Sequence, residues 1–151
     1  MKILFLGEAI APHLMRWHNS FEKMGWEVLT ASCDFNDSFA GTRIVPRWKR
    51  GPLRYLTLAD QIEKIIAEFQ PNIINAHFLP TYGLAAAAVN AHPLVVTLWG
   101  SDLLLTGANG YLRRKRSEYV LKRADLVVMD SQMMVAETMR IHRIPRHLVV
   151  S

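Results

Sequence analysis

Hydrophobic residues along this chain follow two alternating rhythms. KILFL (Lys2 to Leu6), WEVLTAS (Trp26 to Ser32), NIINAH (Asn72 to His77), LVVTLW (Leu94 to Trp99), DLVVM (Asp125 to Met129) and HLVVS (His147 to Ser151) are short apolar runs without sustained polar alternation. Such runs mark strands buried on both faces. RIVP, from Arg43, adds a shorter strand, while DFNDSFAGT before it reads as an irregular polar loop. Between the strands the period lengthens: Leu14, Trp17, Phe21 and Met24 repeat at three, four and three, and Leu56, Ala59, Ile62, Ile66 and Phe69 at three, three, four and three. That spacing predicts helices. Pro12 suits a first helical turn, Gly25 a left-handed cap, and Pro71 a stop. TYGLAAAAVNA, YLRRKRSEYVLKRA and SQMMVAETMRIH supply three more helices, the first with side chains small enough to pack closely on a sheet.

Regular strand and helix alternation predicts an α/β fold: a Rossmann-like, doubly wound, mostly parallel sheet of about seven strands with helices on both faces. With 151 residues the chain has room for one domain spanning 1–151. In a parallel sheet the loops leaving the carboxyl ends of the strands share one rim, where ligands bind. Polar exits converge there: Gly7 to Pro12, His77 to Tyr82, Gly100 to Asp102, and Asp130 to Ser131. Asp102, directly after the apolar run VVTLW, is expected on this rim, where its charge stays solvated or meets a substrate hydroxyl. The plainer role for Ser101 and Asp102 is a helix cap, and the two roles are compatible. Gly100 suits a sharp turn or a close backbone approach. His77 reads equally as a hydrogen-bonded histidine at a strand end, Ser131 as a helix cap, and Glu8 as a solvent-facing carboxylate.

Composition narrows the chemistry. Half of the residues are hydrophobic and 21% charged, as in ordinary globular proteins. No apolar run approaches the roughly 18 residues of a membrane span, and the stretch after Lys2 is too short for a signal peptide, so a cytoplasmic location is expected. Cys33 is the single cysteine, which excludes an internal disulfide. His13 and His18, five apart, fall on different helix faces, and no metal is expected. The formal net charge of +5 gathers in Arg43 to Arg50 and Arg113 to Arg123. These segments read as solvated faces, or as a surface for anionic lipid headgroups with Trp48 and Tyr111 as interfacial anchors. No nucleic-acid module accompanies them. Neither G-x-G-x-x-G nor G-x-x-x-x-G-K-[ST] occurs, which disfavours dehydrogenases and P-loop enzymes.

MKILFLGEAIAPHLMRWHNSFEKMGWEVLTAS, NIINAHFLPTYGLAAAAV, HPLVVTLWGSDLL and ADLVVMDS, in this order, resemble the N-terminal half of family-4 (group 1) glycosyltransferases. The resemblance implies a GT-B enzyme: two Rossmann-like domains across a cleft, retaining chemistry, no metal or other cofactor, and a nucleotide-sugar as co-substrate. The N-terminal domain of such enzymes mainly holds the acceptor, a glycan or lipid-linked hydroxyl. The donor is gripped by a C-terminal domain absent from this chain, so the isolated domain is expected to be inactive. Glu8 to His13 occupies the place of a Gly-rich loop near the donor phosphates, from which this sequence departs. His77 matches the second histidine of a His-x-His strand end, with Asn75 at the first, and Trp99 stands where many relatives have histidine. The resemblance thus implies Asp102 and His77 as catalytic residues that orient the acceptor, Asp102 also favouring oxocarbenium-like charge. Gly100, Ser101, Trp99, Glu8 and Tyr82 are the expected substrate-binding residues. Two other readings stand beside it: another GT-B nucleotide-sugar enzyme such as an epimerase, and a non-catalytic membrane-docking module.

Overall fold

A computed structural model describes residues 1–34, 43–44, 53–100, 110–142 and 149–150. Strands β1 (Lys2–Leu6), β2 (Glu27–Ser32), β3 (Arg43–Ile44), β4 (Ile73–His77), β5 (Leu94–Leu98), β6 (Leu126–Met129) and β7 (Val149–Val150) form one parallel sheet in the order β3-β2-β1-β4-β5-β6-β7. Five strands are four residues or longer, and the two edge strands, β3 and β7, have two residues each. Helices α1 (Pro12–Lys23), α2 (Leu53–Phe69), α3 (Leu84–Ala88), α4 (Tyr111–Arg123) and α5 (Gln132–His142) lie between them. The doubly wound α/β fold read from the sequence is therefore the observed one.

The pleat divides the core into two. Leu4 and Leu6 of β1 join Leu29, Ile74, Val96 and Leu98 in a large cluster with Ile62 of α2, the alanines of α3, Val120 and Leu121 of α4, and Met134 of α5. Ile3 and Phe5 point the other way, into a smaller cluster with Leu14 and with Trp17 and Phe21 of α1. The helix after β1 thus covers one face and those after β4 and β5 the opposite face. This is the topological switch point of a doubly wound sheet, where a crevice opens between the carboxyl ends of β1 and β4.

Both ends of α1 carry their sequence signals. Pro12 is its first residue. At the other end Gly25 adopts φ +80°, and the Trp26 and Gly25 amides donate to the Phe21 and Glu22 carbonyls in a Schellman arrangement. The segment Thr81 to Ala91 departs from the single compact helix expected. Leu79–Gly83 forms a wide π-helical turn and only Leu84–Ala88 is α-helical. The reason lies at Phe78, whose φ of 73° reverses the chain as it leaves β4 and whose carbonyl accepts from both Thr81 and Gly83. A Cβ on Gly83 would stand 3.3 Å from Val120, so this turn and α4 pack nearly backbone to side chain.

Candidate functional site at the ends of strands one, four and five

β1 ends at Leu6, and the chain turns through Gly7 into the gap between α1 and β4. A Cβ there would lie 3.0 Å from Leu14 Cδ2 and 3.1 Å from His77 Cβ, tighter than ordinary packing. Glycine lets the loop pass without displacing either neighbour. The loop is then pinned by the Ala9 amide donating to Ser32 Oγ (3.0 Å) and the Ala11 amide donating to the Glu8 carbonyl (2.9 Å). Glu8, Ala11, His13 and Leu14 consequently line one side of a cleft of about 180 Å³, with His77, Phe78 and Trp99 opposite.

His77 is the last residue of β4 and is 3% exposed. Its ring stands edge-on to Phe5 at 5.8 Å and to Trp17 at 5.9 Å, with Trp99 at 5.5 Å. Trp99 Nε1–H donates to His77 Nδ1 at 3.3 Å. Indole nitrogen is only a donor, so Nδ1 must be the acceptor and the neutral ring carries its proton on Nε2. Nε2 itself is buried and has no hydrogen-bond partner among the described residues. Burial first, and the nearby His13 second, push the imidazole down to about 3, so it is neutral at physiological pH. His13 is also lowered, by burial and then by Arg16. Its ring lies 4.0 Å from that of Trp99 at an interplanar angle of 35°, extending the aromatic wall towards the mouth of the cleft.

The arrangement offers one imidazole N–H donor of fixed tautomer, an aromatic surface and, from Glu8, a carboxylate on the same cleft. Phe78, with φ 73° and ψ 92°, holds a costly backbone conformation where strand and cleft meet. The polar residues deeper on this face are paired: Thr97 Oγ1 donates to Asn75 Oδ1 (2.8 Å), and His18 Nδ1 shares a 2.7 Å bond with Thr30 Oγ1.

Of the residues singled out from sequence, His77, Trp99 and Glu8 meet in this cleft. Gly100 follows directly, with φ +81°, the turn for which glycine is suited. Ser101 and Asp102 lie outside the described residues, as does Trp48. Tyr82 requires correction. Its side chain is 1% exposed within the large cluster, and its hydroxyl accepts from the Cys33 amide at 3.0 Å, so it braces the interior and does not line the cleft. The π-helical turn is the cause, because it rotates Tyr82 under the sheet. Ser131 Oγ accepts from the Met134 amide at 3.4 Å, a helix cap as read from sequence. His13 was the omission. Pro12 already marked the helix start, and a histidine in the first turn after β1 has to stand at the rim.

The glycosyl transferase 4-like family profile matches residues 2–131. The chain belongs to that family. None of the curated proteins matches it. Among solved structures, a glycosyltransferase from Rickettsia africae is similar with a TM-score of 0.67 at 15% identity, covering 99% of this chain and 41% of its own. The UDP-GlcNAc 2-epimerase of Methanocaldococcus jannaschii gives 0.66 at 12%, covering 99% and 45%, and an enzyme from Listeria monocytogenes described as a putative UDP-N-acetylglucosamine 2-epimerase gives 0.71 at 13%, covering 98% and 43%. These likenesses show a shared fold, one Rossmann-like half of the GT-B architecture. The chain spans less than half the length of these solved relatives.

Proposed function

We propose that this glycosyl transferase 4-like domain is the acceptor-holding half of a retaining glycosyltransferase. It would move a sugar from a nucleotide-sugar to a hydroxyl of a glycan or lipid-linked acceptor, with a second α/β domain gripping the nucleotide. In that reaction the bond from the anomeric carbon to the leaving phosphate breaks, the bond to the acceptor oxygen forms, and the acceptor proton passes to the departing phosphate. No strong protein base is needed on the acceptor side. The work left to this domain is placement of the hydroxyl near the anomeric carbon.

The observation that supports this reading is the switch-point cleft walled by His77, Trp99, His13 and Glu8, together with a buried His77 Nε2–H that has no partner among the described residues. A buried donor without a partner costs about 1–3 kcal/mol, which a ligand oxygen would recover. An imidazole lowered to about 3 is a poor base at neutral pH, so the role assigned to His77 is donation of a hydrogen bond to the acceptor. The stacked, tilted rings of Trp99 and His13 offer apolar surface to a sugar ring, and Glu8 accepts from hydroxyls. Asp102, next in the chain after this wall, is assigned to orienting the acceptor and favouring positive charge on the ring.

The test is kinetic, in the complete enzyme with both domains. Asp102→Asn and His77→Phe are each expected to lower kcat/KM for the acceptor about tenfold to a hundredfold, the range for a lost hydrogen bond to substrate. His77→Gln, which restores an N–H, should recover part of the loss, and the donor KM should hardly move. Unchanged kcat/KM in Asp102→Asn rejects its assignment. Interconversion of the nucleotide-sugar itself without any acceptor would favour the epimerase reading.

A further inference from the structure

Among the described residues that line the switch-point cleft, Glu8 is the one carboxylate, and there is neither lysine nor arginine. Glu8 is half-buried. Arg16, three residues beyond His13 on α1, borders a separate depression with Trp17, Ser20 and Phe21. Neither imidazole supplies the missing positive charge at physiological pH: burial pushes His77 down to about 3, and burial and then Arg16 lower His13 against the opposing pull of Glu8. The amino-terminal end of α1 does have the opposite sign. Its dipole is worth about half a charge, and of the amides that would point at an anion, that of Ala11 already donates to the Glu8 carbonyl and Pro12 has none. A full carboxylate outweighs it. The described walls are therefore net negative, and a phosphate entering them meets like charge.

Two further features define what fits. The buried Nε2–H of His77, without a partner among the described residues, calls for an oxygen acceptor. Trp99 presents an indole on the same cleft, and indole is the ring that attracts a cation most strongly. A neutral hydroxyl can donate to Glu8 but leaves its charge uncompensated between aromatic and aliphatic walls. An ammonium group removes that cost. We propose that the acceptor held in this cleft is an amino sugar with a free amine: its ammonium group pairs with Glu8 against the indole of Trp99, and a neighbouring hydroxyl oxygen accepts from His77 Nε2–H. A volume of about 180 Å³, roughly that of six waters, is on the scale of a single sugar ring. The proposal rests on the acceptor-holding reading and narrows it to one chemical class.

The experiment is a titration of the purified protein at pH 7 with methyl glucosaminide, methyl N-acetylglucosaminide, methyl glucoside and glucose 6-phosphate, followed on the Trp99 indole ¹⁵N–¹H signal. The glucosaminide is expected to bind about tenfold more tightly than either neutral glycoside, the gain of one partly exposed ion pair with a cation over an aromatic face. The phosphate should bind most weakly. Glu8→Gln should bring the glucosaminide to the affinity of methyl glucoside while leaving methyl glucoside binding within about twofold, and Glu8→Asp, which keeps the charge, should retain part of the preference. The unchanged methyl glucoside affinity separates a lost ion pair from damage to the fold. Equal affinity for charged and neutral glycosides overturns the proposal and leaves the acceptor reading standing. Tighter binding of glucose 6-phosphate, a glucosaminide preference that survives in Glu8→Gln, or a Trp99 signal that the glucosaminide does not move would each overturn it as well. Failure of the acceptor reading itself is read elsewhere, in kcat/KM of the complete enzyme.

Discussion

The protonation of His77 provides a direct measurement of the site's character. Its folded-state value of about 3 lies well below the roughly 6.5 of an unfolded histidine. Between those limits the unfolded chain binds the extra proton and the folded chain does not, so stability falls as pH falls through this window and is fully present above it. At 1.36 kcal/mol per pH unit, His77 alone should remove about 2 kcal/mol between pH 7 and pH 5, and about 4–5 kcal/mol by pH 3. His13 and His18 are lowered too and act in the same direction, and carboxylates add their own slope. The informative quantity is therefore a double difference. Urea unfolding of the parent and of His77→Gln is measured at pH 7 and at pH 5. Glutamine does not titrate, so whatever it does to packing cancels, and the parent should lose about 2 kcal/mol more than the variant. Equal losses would refute the burial of a neutral imidazole at this site.

Two further outcomes test the arrangement around it. Trp99→Phe removes the Nε1–H that fixes Nδ1 as an acceptor, so ¹⁵N chemical shifts should show the single Nε2–H tautomer of His77 in the parent and a mixture in the variant. Tyr82→Phe leaves the Cys33 amide without its acceptor and should cost about 1–2 kcal/mol in urea unfolding, with kcat/KM for the acceptor unchanged in the complete enzyme, as befits a residue of the interior.

The sheet was legible because its determinants are local. Apolar runs bounded by glycine and proline place β1, β2, β4, β5 and β6, and the helical repeat of Leu14, Trp17 and Phe21 with Pro12 and Gly25 frames α1 almost to the residue. The shared rim at the carboxyl ends followed from strand and helix alternation, and there His77 and Trp99 end adjacent strands and touch. What could not be read was set by single backbone angles. Nothing in FLPTYG announces that Phe78 takes a positive φ, yet that one residue turns Tyr82 from the rim into the core. The place of His13 at the rim is a local consequence of Pro12, but its ring contact with Trp99, 86 positions away, is encoded by no local pattern.

Buried polar groups on the α1 face of the sheet separate structure from function more sharply than residue type does. Asn75 and Thr97 satisfy each other, and His18 meets Thr30, so each pair is a closed account within the fold. His77 stands one step further along the same face and is left with an open donor among the described residues. An orphaned polar atom is not by itself a site, because Thr138 Oγ1 on α5 is likewise without a partner among them. The difference is location. Thr138 is not among the residues lining this cleft, whereas His77 shares it with Glu8, His13 and Trp99 at the crevice where β1 and β4 diverge. Replacing His77 by an apolar residue would relieve the desolvation cost but would also remove the acceptor of the Trp99 Nε1–H. A buried donor in a ring that lines the cleft, its tautomer held by a neighbour, fits the proposal that a ligand completes its hydrogen bond.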